Sequence, residues 1–232
     1  MPTAASTLGP RLDAVADLVR PGEAMADLGC DHALLPIYLL ARGRVPAAYG
    51  CDLRPDPLTV ARANARRSGE PVELRLGDGL APVAGLALGT ATIAGMGGDK
   101  IAKILDAGPL HDVTRLVVAP NASWTLVREA LHRHGFWPLD ERLVEEAGRL
   151  YLVLAAERGG PEQPDPADFV LGPLLRQNPT PLFRRWLEGE TGRLRKAVAG
   201  IDSAPRPDLE RRAAFEAGLG ILETALARLD RG

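Results

Sequence analysis

Apolar positions recur along this chain in two rhythms, and their alternation predicts the fold. Leu8, Leu12, Val15, Leu18 and Val19 fall at helical spacing and predict an amphipathic opening helix, which Pro21 and Gly22 end. A short apolar run over residues 24–28 predicts a strand that stops at Gly29. The stretch from His32 to Leu40 predicts a helix with Pro36 in its first turn, where a missing N–H costs little. The pattern then repeats. A strand over 47–51 reaches Asp52, and a helix over 56–68 carries Leu58, Ala61 and Ala65 on one face and ends at Gly69. Further strands are predicted over 72–76, 90–94 and 115–119. A helix over 100–106 separates the last two, and another follows them, marked by Leu126, Val127, Ala130 and Leu131.

Strands alternating with helices imply a parallel, doubly wound α/β sheet. The next segment breaks the rhythm. Strand-like runs over 137–144 and 150–157 flank Glu145, Glu146, Ala147 and Gly148, too close together for a helical crossover, so they should pair as an antiparallel hairpin. A Rossmann-like parallel sheet finished by such a hairpin is the layout of class I methyltransferases, and dinucleotide-binding dehydrogenases lack it. Residues 159–166 read as a linker, rich in Gly and Pro. Beyond it the strand signal disappears. Phe183, Leu187, Leu194, Ala197 and Ile201 fall near heptad spacing, as do Phe215, Leu219, Leu222, Leu226 and Leu229, with Pro205 and Pro207 between the two runs. We therefore expect a larger α/β domain over 1–158 and a small C-terminal α-helical, coiled-coil-like hairpin domain over 167–232.

Composition limits the function. The formal charge is −2, so no bulk basic balance marks a nucleic-acid partner, and any RNA contact must come from a local patch. The two cysteines, Cys30 and Cys51, make no disulfide framework and fit a reducing compartment. The opening residues show no charged start followed by an apolar run, and no stretch is long and apolar enough to span a bilayer, so a cytoplasmic protein is expected.

The unusual loops all fall where strands are predicted to end. In open α/β sheets that edge is where ligands bind. Gly29 permits a tight turn and close backbone approach. Asp52, 23 residues after Gly29, ends the second strand, where a carboxylate can accept from both hydroxyls of a ribose. Asp78, between Gly77 and Gly79 at the third strand end, can accept from an adenine amino group. The first loop is not G-x-G-x-x-G, and Asp31 and Ala33 stand where the commonest methyltransferase pattern has glycine. An acid there would repel a diphosphate but favour a cationic sulfonium and ammonium.

At these residues the chain resembles the bacterial tRNA (adenine-22-N1)-methyltransferases. The likeness is carried by Asp27-Leu-Gly-Cys-Asp-His-Ala-Leu-Leu-Pro, Gly77-Asp-Gly-Leu, Ile93-Ala-Gly-Met-Gly-Gly, Ala119-Pro-Asn, Glu145-Glu-Ala-Gly-Arg-Leu-Tyr and Asp168-Phe-Val-Leu-Gly-Pro-Leu-Leu. It covers most of the chain, with Cys51 standing where a small residue is more usual. The resemblance implies S-adenosylmethionine as donor, held by Asp27, Gly29, Cys30, Asp31, His32, Asp52, Asp78, Gly79 and Gly95. It also implies N1 of an adenine in the D-loop region of tRNA as acceptor, positioned by Gly95, Met96, Gly97 and Asn121, with no metal. N1 carries a free lone pair at neutral pH, so no strong base is required.

Arg176, Arg184, Arg185, Arg193, Arg195 and Lys196 form the densest basic run, opposed only by Glu188 and Glu190, and the last five are the expected phosphate grip on tRNA. His132 and His134 point to different faces of one helix and make poor metal ligands. His32 either orients substrate or caps its helix, and Cys30 and Cys51 are read as buried small side chains. A monomer is expected. The alternatives are a methyltransferase for another RNA, a small molecule or a protein, an inactive RNA-binding relative, and a nicotinamide-dependent oxidoreductase.

Overall fold

The computed structural model describes residues 8–231, and within that span the chain forms two units that divide between Pro161 and Glu162. The first runs on past residue 158 because Gly159 N–H donates to the Gly135 carbonyl (3.0 Å) and the Pro161 carbonyl lies 3.1 Å from His132 Nε2.

The first unit is a seven-stranded sheet. In chain order its strands are β1 (Met25–Leu28), β2 (Ala48–Asp52), β3 (Glu73–Leu76), β4 (Leu88–Ala94), β5 (Val113–Ala119), β6 (Phe136–Glu146) and β7 (Arg149–Arg158), laid out β3-β2-β1-β4-β5-β7-β6. The first five are parallel, while β7 runs antiparallel to both β5 and β6. Before them runs α1 (Pro10–Leu18), and between them run α2 (Leu34–Ala41), α3 (Pro55–Ser68), α4 (Gly98–Ala107) and α5 (Trp124–Arg133). Alternation along the strands shows that both sheet faces are covered. Val117, Ala119, Val153 and Ala155 pack in one core with Val15 and Leu18 of α1 and Val19 just after it, while their strand neighbours Leu116, Val118, Leu152 and Leu154 are fully buried on the other face.

The order reverses beside β1, which pairs with β2 on one side and β4 on the other. The loops after β1 and β4 therefore part at this switch point and open a crevice. At the far end, β6 and β7 extend as far as Glu146 and Arg149, so the turn shrinks to Ala147 and Gly148 (φ 49° and 76°), the left-handed pair that matches strand twist. Pro138 lies in β6 beside a register shift, which an edge strand tolerates.

The second unit holds α6 (Pro166–Leu171), α7 (Pro173–Gln177), α8 (Pro181–Asp202) and α9 (Leu209–Leu229). The apolar pattern did not predict α6 and α7, which proline starts and a glycine break keep short. Thr180 and Asp208 cap α8 and α9 by accepting from Phe183 N–H and Arg211 N–H. Phe183, Leu187, Thr191 and Leu194 form the buried stripe of α8. Arg184 meets Asp230 at one end of the pair and Asp202 meets Arg212 at the other, which makes the two helices antiparallel.

Candidate active site

A cleft of about 690 Å³ lies along the carboxyl ends of the parallel strands, and all nine residues expected to hold the donor line it. They come together because the register puts the strand ends level. Asp27 pairs with Gly50 and with Thr92, and Asp52 pairs with Leu76. The N–H groups of Gly29 and Cys30 both donate to the Cys51 carbonyl (2.8 and 2.9 Å), and Gly77 N–H donates to the Asp52 carbonyl (3.0 Å).

Asp31 and Ala33 stand where glycine is usual, yet their φ values are 46° and 55°. The left-handed turn is kept without the residue that adopts it freely, at about 1–2 kcal/mol of local strain each. Such strain points to a backbone shape the site requires. Ala33 N–H to the Cys30 carbonyl (2.7 Å) and Asn64 Nδ2 to the His32 carbonyl (2.9 Å) hold the loop in place. His32 makes no cap for α2, because its half-exposed ring lies 3.6 Å from Asp31.

The acids differ in setting. Asp27 is buried, and its Oδ1 accepts from the Thr92 hydroxyl at 2.6 Å. Burial pushes its carboxyl up to about 6, against the lowering effect of that bond and with a further push from nearby Asp52. Asp52 is also buried and accepts from Arg54 N–H (3.0 Å). Asp78 is exposed on its glycine-flanked loop. Cys30 and Cys51 are buried free thiols. Burial raises both, Cys51 to about 12, so neither is a nucleophile at neutral pH. Among the described residues no group of three or more His, Cys, Asp or Glu side chains is placed to hold a metal ion. His134 pairs with Asp106, while the His132 ring packs edge-on against Trp137.

The Gly95–Gly98 loop is built from both sides. Gly95 has φ 76°. A Cβ on Gly98 would lie 2.6 Å from the Ser123 carbonyl oxygen and 2.8 Å from that of Ala122, so this glycine lets two loops touch. Met96 lies over Gly29, where any side chain would collide with its terminal methyl. Gly97 has an ordinary φ of −68°, and a Cβ there would meet nothing within 4 Å, so the fold itself makes no demand for glycine at this position. The loop carbonyls are spoken for. Asn121 donates through Nδ2 to the Gly95 oxygen and through its backbone N–H to the Met96 oxygen (both 2.8 Å), while the Gly97 oxygen accepts from Lys100 and Ile101. Asn121 does not line the cleft; it braces the loop that does. The N–H groups of Met96 and Gly97 remain without a protein acceptor among the described residues.

Sequence reasoning missed several cleft residues, Arg54 and Ile104 among them. Leu34 and Leu53 are large exposed apolar side chains on its wall, Lys100 lies at the start of α4, and Arg11 comes from α1, outside every loop singled out above.

In the second unit the basic run is largely paired. Arg184 bonds Asp230 (2.6 Å), Arg193 bonds Glu190, and Arg195 bonds Glu223 (2.7 Å). Asp230 and Glu223 belong to the region of α9, so the opposition is stronger than Glu188 and Glu190 alone suggested. Between Glu162 and Gly232 there are eleven acidic and eleven basic side chains, leaving no net positive field.

Residues 8–154 match the model of a methyltransferase domain. The tRNA (adenine(22)-N(1))-methyltransferase of Bacillus subtilis is 34% identical over 191 residues, 78% of this chain and 80% of that one. The crystal structure of the B. subtilis m1A22 tRNA methyltransferase superposes with a TM-score of 0.86 at 29% identity, covering 95% of this chain and 99% of that one. A putative tRNA (m1A22) methyltransferase of Streptococcus pneumoniae, solved in complex with S-adenosyl-L-methionine, superposes with a TM-score of 0.81 at 32% identity, covering 93% and 98%.

Proposed function

The chain belongs to the tRNA (adenine-22-N1)-methyltransferase family, and from that premise we propose that it moves a methyl group from S-adenosylmethionine to N1 of adenine 22 in tRNA. The observation that carries this reading is a cleft in which Asp27, Asp52 and Asp78, at or just beyond the carboxyl ends of three neighbouring strands, stand beside the Gly95–Gly98 loop. The residues fit the donor. Asp52 suits its ribose hydroxyls, Asp78 its adenine amino group, and Asp27 with Asp31 its cationic end, while Leu34 and Leu53 offer apolar cover. When bound, the donor supplies an electrophilic methyl on a sulfonium.

The chain's own contribution is placement. Adenine N1 attacks with a lone pair that needs no deprotonation, so no residue here has to act as a general base. Holding two reactants aligned supplies up to about 7–11 kcal/mol in favourable cases. The free N–H groups of Met96 and Gly97 are donors for adenine ring nitrogens other than N1, the bare backbone at Gly97 admits a flat ring, and Asn121 fixes the loop that presents both. The target base must leave its stack to arrive there.

Arg184, Arg185, Arg193, Arg195 and Lys196 are the proposed tRNA contacts of the C-terminal unit, where phosphate would take the place of protein carboxylates. This reading takes the enzyme to act as a monomer, and a tRNA substrate supports a cytoplasmic enzyme. The test is incubation with methyl-labelled donor and total tRNA, followed by mapping of the label. Label at N1 of adenine 22 supports the reading; label at another nucleotide, or none in tRNA, overturns it.

A further inference from the structure

The terminal hairpin has a second task besides completing the sheet. Glu146, the last residue of β6, accepts from Arg11 twice, through the backbone N–H (3.3 Å) and through Nε (3.5 Å). A Cβ on Gly9, the residue just before α1, would run into the same carboxylate. Tyr151, on β7, lies under the Arg11 guanidinium at 5.2 Å. The side chain is thus gripped from two directions and is 20% exposed.

What the grip leaves over is the far edge of the guanidinium. Nη1 is buried without a hydrogen-bond partner, and Nη2 also makes no bond to the protein among the described residues. A buried donor left unmade is costly, so a fold that fixes one in place leaves it waiting for an acceptor. Nη1 lies 3.4 Å from where a Cβ on Gly95 would be, and Arg11 lines the same cleft as Gly29 and Asp31.

The sheet order identifies the acceptor. Adenine at Asp78 and ribose at Asp52 put those parts of the donor at β3 and β2, so its methionyl end falls at β1 and β4, beside Gly95. That end carries one anion. Among the described residues the cleft lining has four aspartates and, besides the His32 ring that lies beside Asp31, three basic side chains. Of these, Arg54 lies at the ribose end, 4.0 Å from Asp52, and Lys100 is exposed on α4. We propose that Arg11, held by Glu146 and Tyr151, is the anchor for the α-carboxylate of the donor, and that Glu146 is a positioning residue acting through it. The proposal rests on the donor reading above and adds the residue that recognises one group of it.

The test compares S-adenosylmethionine with its decarboxylated form, which keeps the sulfonium and the amine, by calorimetry on the full chain. The native protein should prefer the intact donor by roughly 10- to 100-fold, the worth of hydrogen bonds to a charged group. Arg11→Ala should bring the intact donor down to the level of the decarboxylated one and leave the latter within about twofold. Arg11→Gln, which keeps most of the side chain's volume, reads the same ratio if the alanine variant fails to fold. Glu146→Gln should lower the preference partway. A preference that survives in Arg11→Gln overturns the inference. So does unchanged donor affinity with a raised KM for tRNA, which would make Arg11 a phosphate contact. If the native protein binds neither compound, the donor reading fails first and the inference with it.

Discussion

The cleft and the helical hairpin both concentrate charge, and they handle it in opposite ways. Along the strand ends, Asp27 and Asp52 are buried with a hydroxyl and a backbone N–H for company, and among the described residues no cation stands closer to Asp52 than Arg54 at 4.0 Å. In the hairpin, Arg184, Arg193 and Arg195 each meet a carboxylate of their own unit. A fold optimised only for stability would not bury acids in an unneutralised group, since desolvation costs more than the available bonds return. Uncompensated charge in the cleft therefore marks a place for a charged ligand. Compensated charge in the hairpin marks a surface stable by itself, where an incoming phosphate must compete with carboxylates already present.

The largest effect should come from separating the two regions. A chain ending after Pro161 keeps all seven strands and the cleft. It should bind S-adenosylmethionine with native affinity by calorimetry and methylate no tRNA in a labelled-donor assay. Native rates on tRNA from this truncated chain would place the whole RNA contact on the first unit and make the comparison irrelevant to RNA. Next in size is Asp52→Ala. Loss of hydrogen bonds between a carboxylate and ligand hydroxyls costs about 1–3 kcal/mol, so donor affinity should fall roughly 10- to 100-fold. The melting temperature should hold or rise, because one of two neighbouring buried acids has gone. A variant that melts earlier and binds the donor normally would make Asp52 a structural group.

The two regions also differ in how much of them is visible before folding. Strand ends can be read from a chain because an apolar run that stops at Gly or Asp is a local signal, and Gly29, Asp52 and Asp78 were found that way. The left-handed turns at Asp31 and Ala33 were hidden, since neither residue advertises a positive φ. Arg11 was hidden for another reason: its partner Glu146 is 135 residues away, and only the sheet's closing hairpin brings them together. Asn121 was read as positioning the base, and its donation to the Gly95 carbonyl was hidden, because a side-chain amide looks the same whether it faces a ligand or a neighbouring carbonyl. In the hairpin the arginines of α8 were obvious, and the acids that meet them were not. Which residue of α9 faces Arg195 depends on the register of two antiparallel helices, which no local pattern sets.

A smaller effect follows from Asp27. Its folded value of about 6 lies above the ordinary 3.8, so the folded state holds a proton that the unfolded state has lost between those two values. Stability of the ligand-free protein therefore falls as pH rises through that window and levels off above it, the whole change amounting to about 3 kcal/mol. A cationic ligand favours the ionised form. Donor affinity should thus run the other way, flat above about pH 7 and about tenfold weaker at pH 5. Calorimetry between pH 5 and 8 measures this, and Asp27→Asn should abolish the slope. A slope that persists in that variant would assign it to another group.

The smallest effect tests the hairpin half of the comparison most closely. Arg195 and Glu223 are 2.7 Å apart with side chains 63% and 44% exposed. An exposed pair of this kind contributes about 0–1 kcal/mol to stability, so neither Arg195→Ala nor Glu223→Gln should move the melting temperature much. Their effects on tRNA should differ in sign. If phosphate must displace Glu223 to reach Arg195, removing the carboxylate removes the competition, and Glu223→Gln should tighten tRNA binding by up to about fivefold at low salt. Arg195→Ala should weaken binding by a similar factor and reduce the slope of log affinity against log salt by about one, the signature of a lost phosphate contact. The double variant should match Arg195→Ala, because Glu223 has nothing left to screen. Filter binding across a salt series reads all three. If both single variants instead leave tRNA affinity unchanged and lower the melting temperature together, the pair only fastens α8 to α9. The neutral charge balance of this unit would then reflect its stability, and the phosphate contacts would have to be sought elsewhere on the chain.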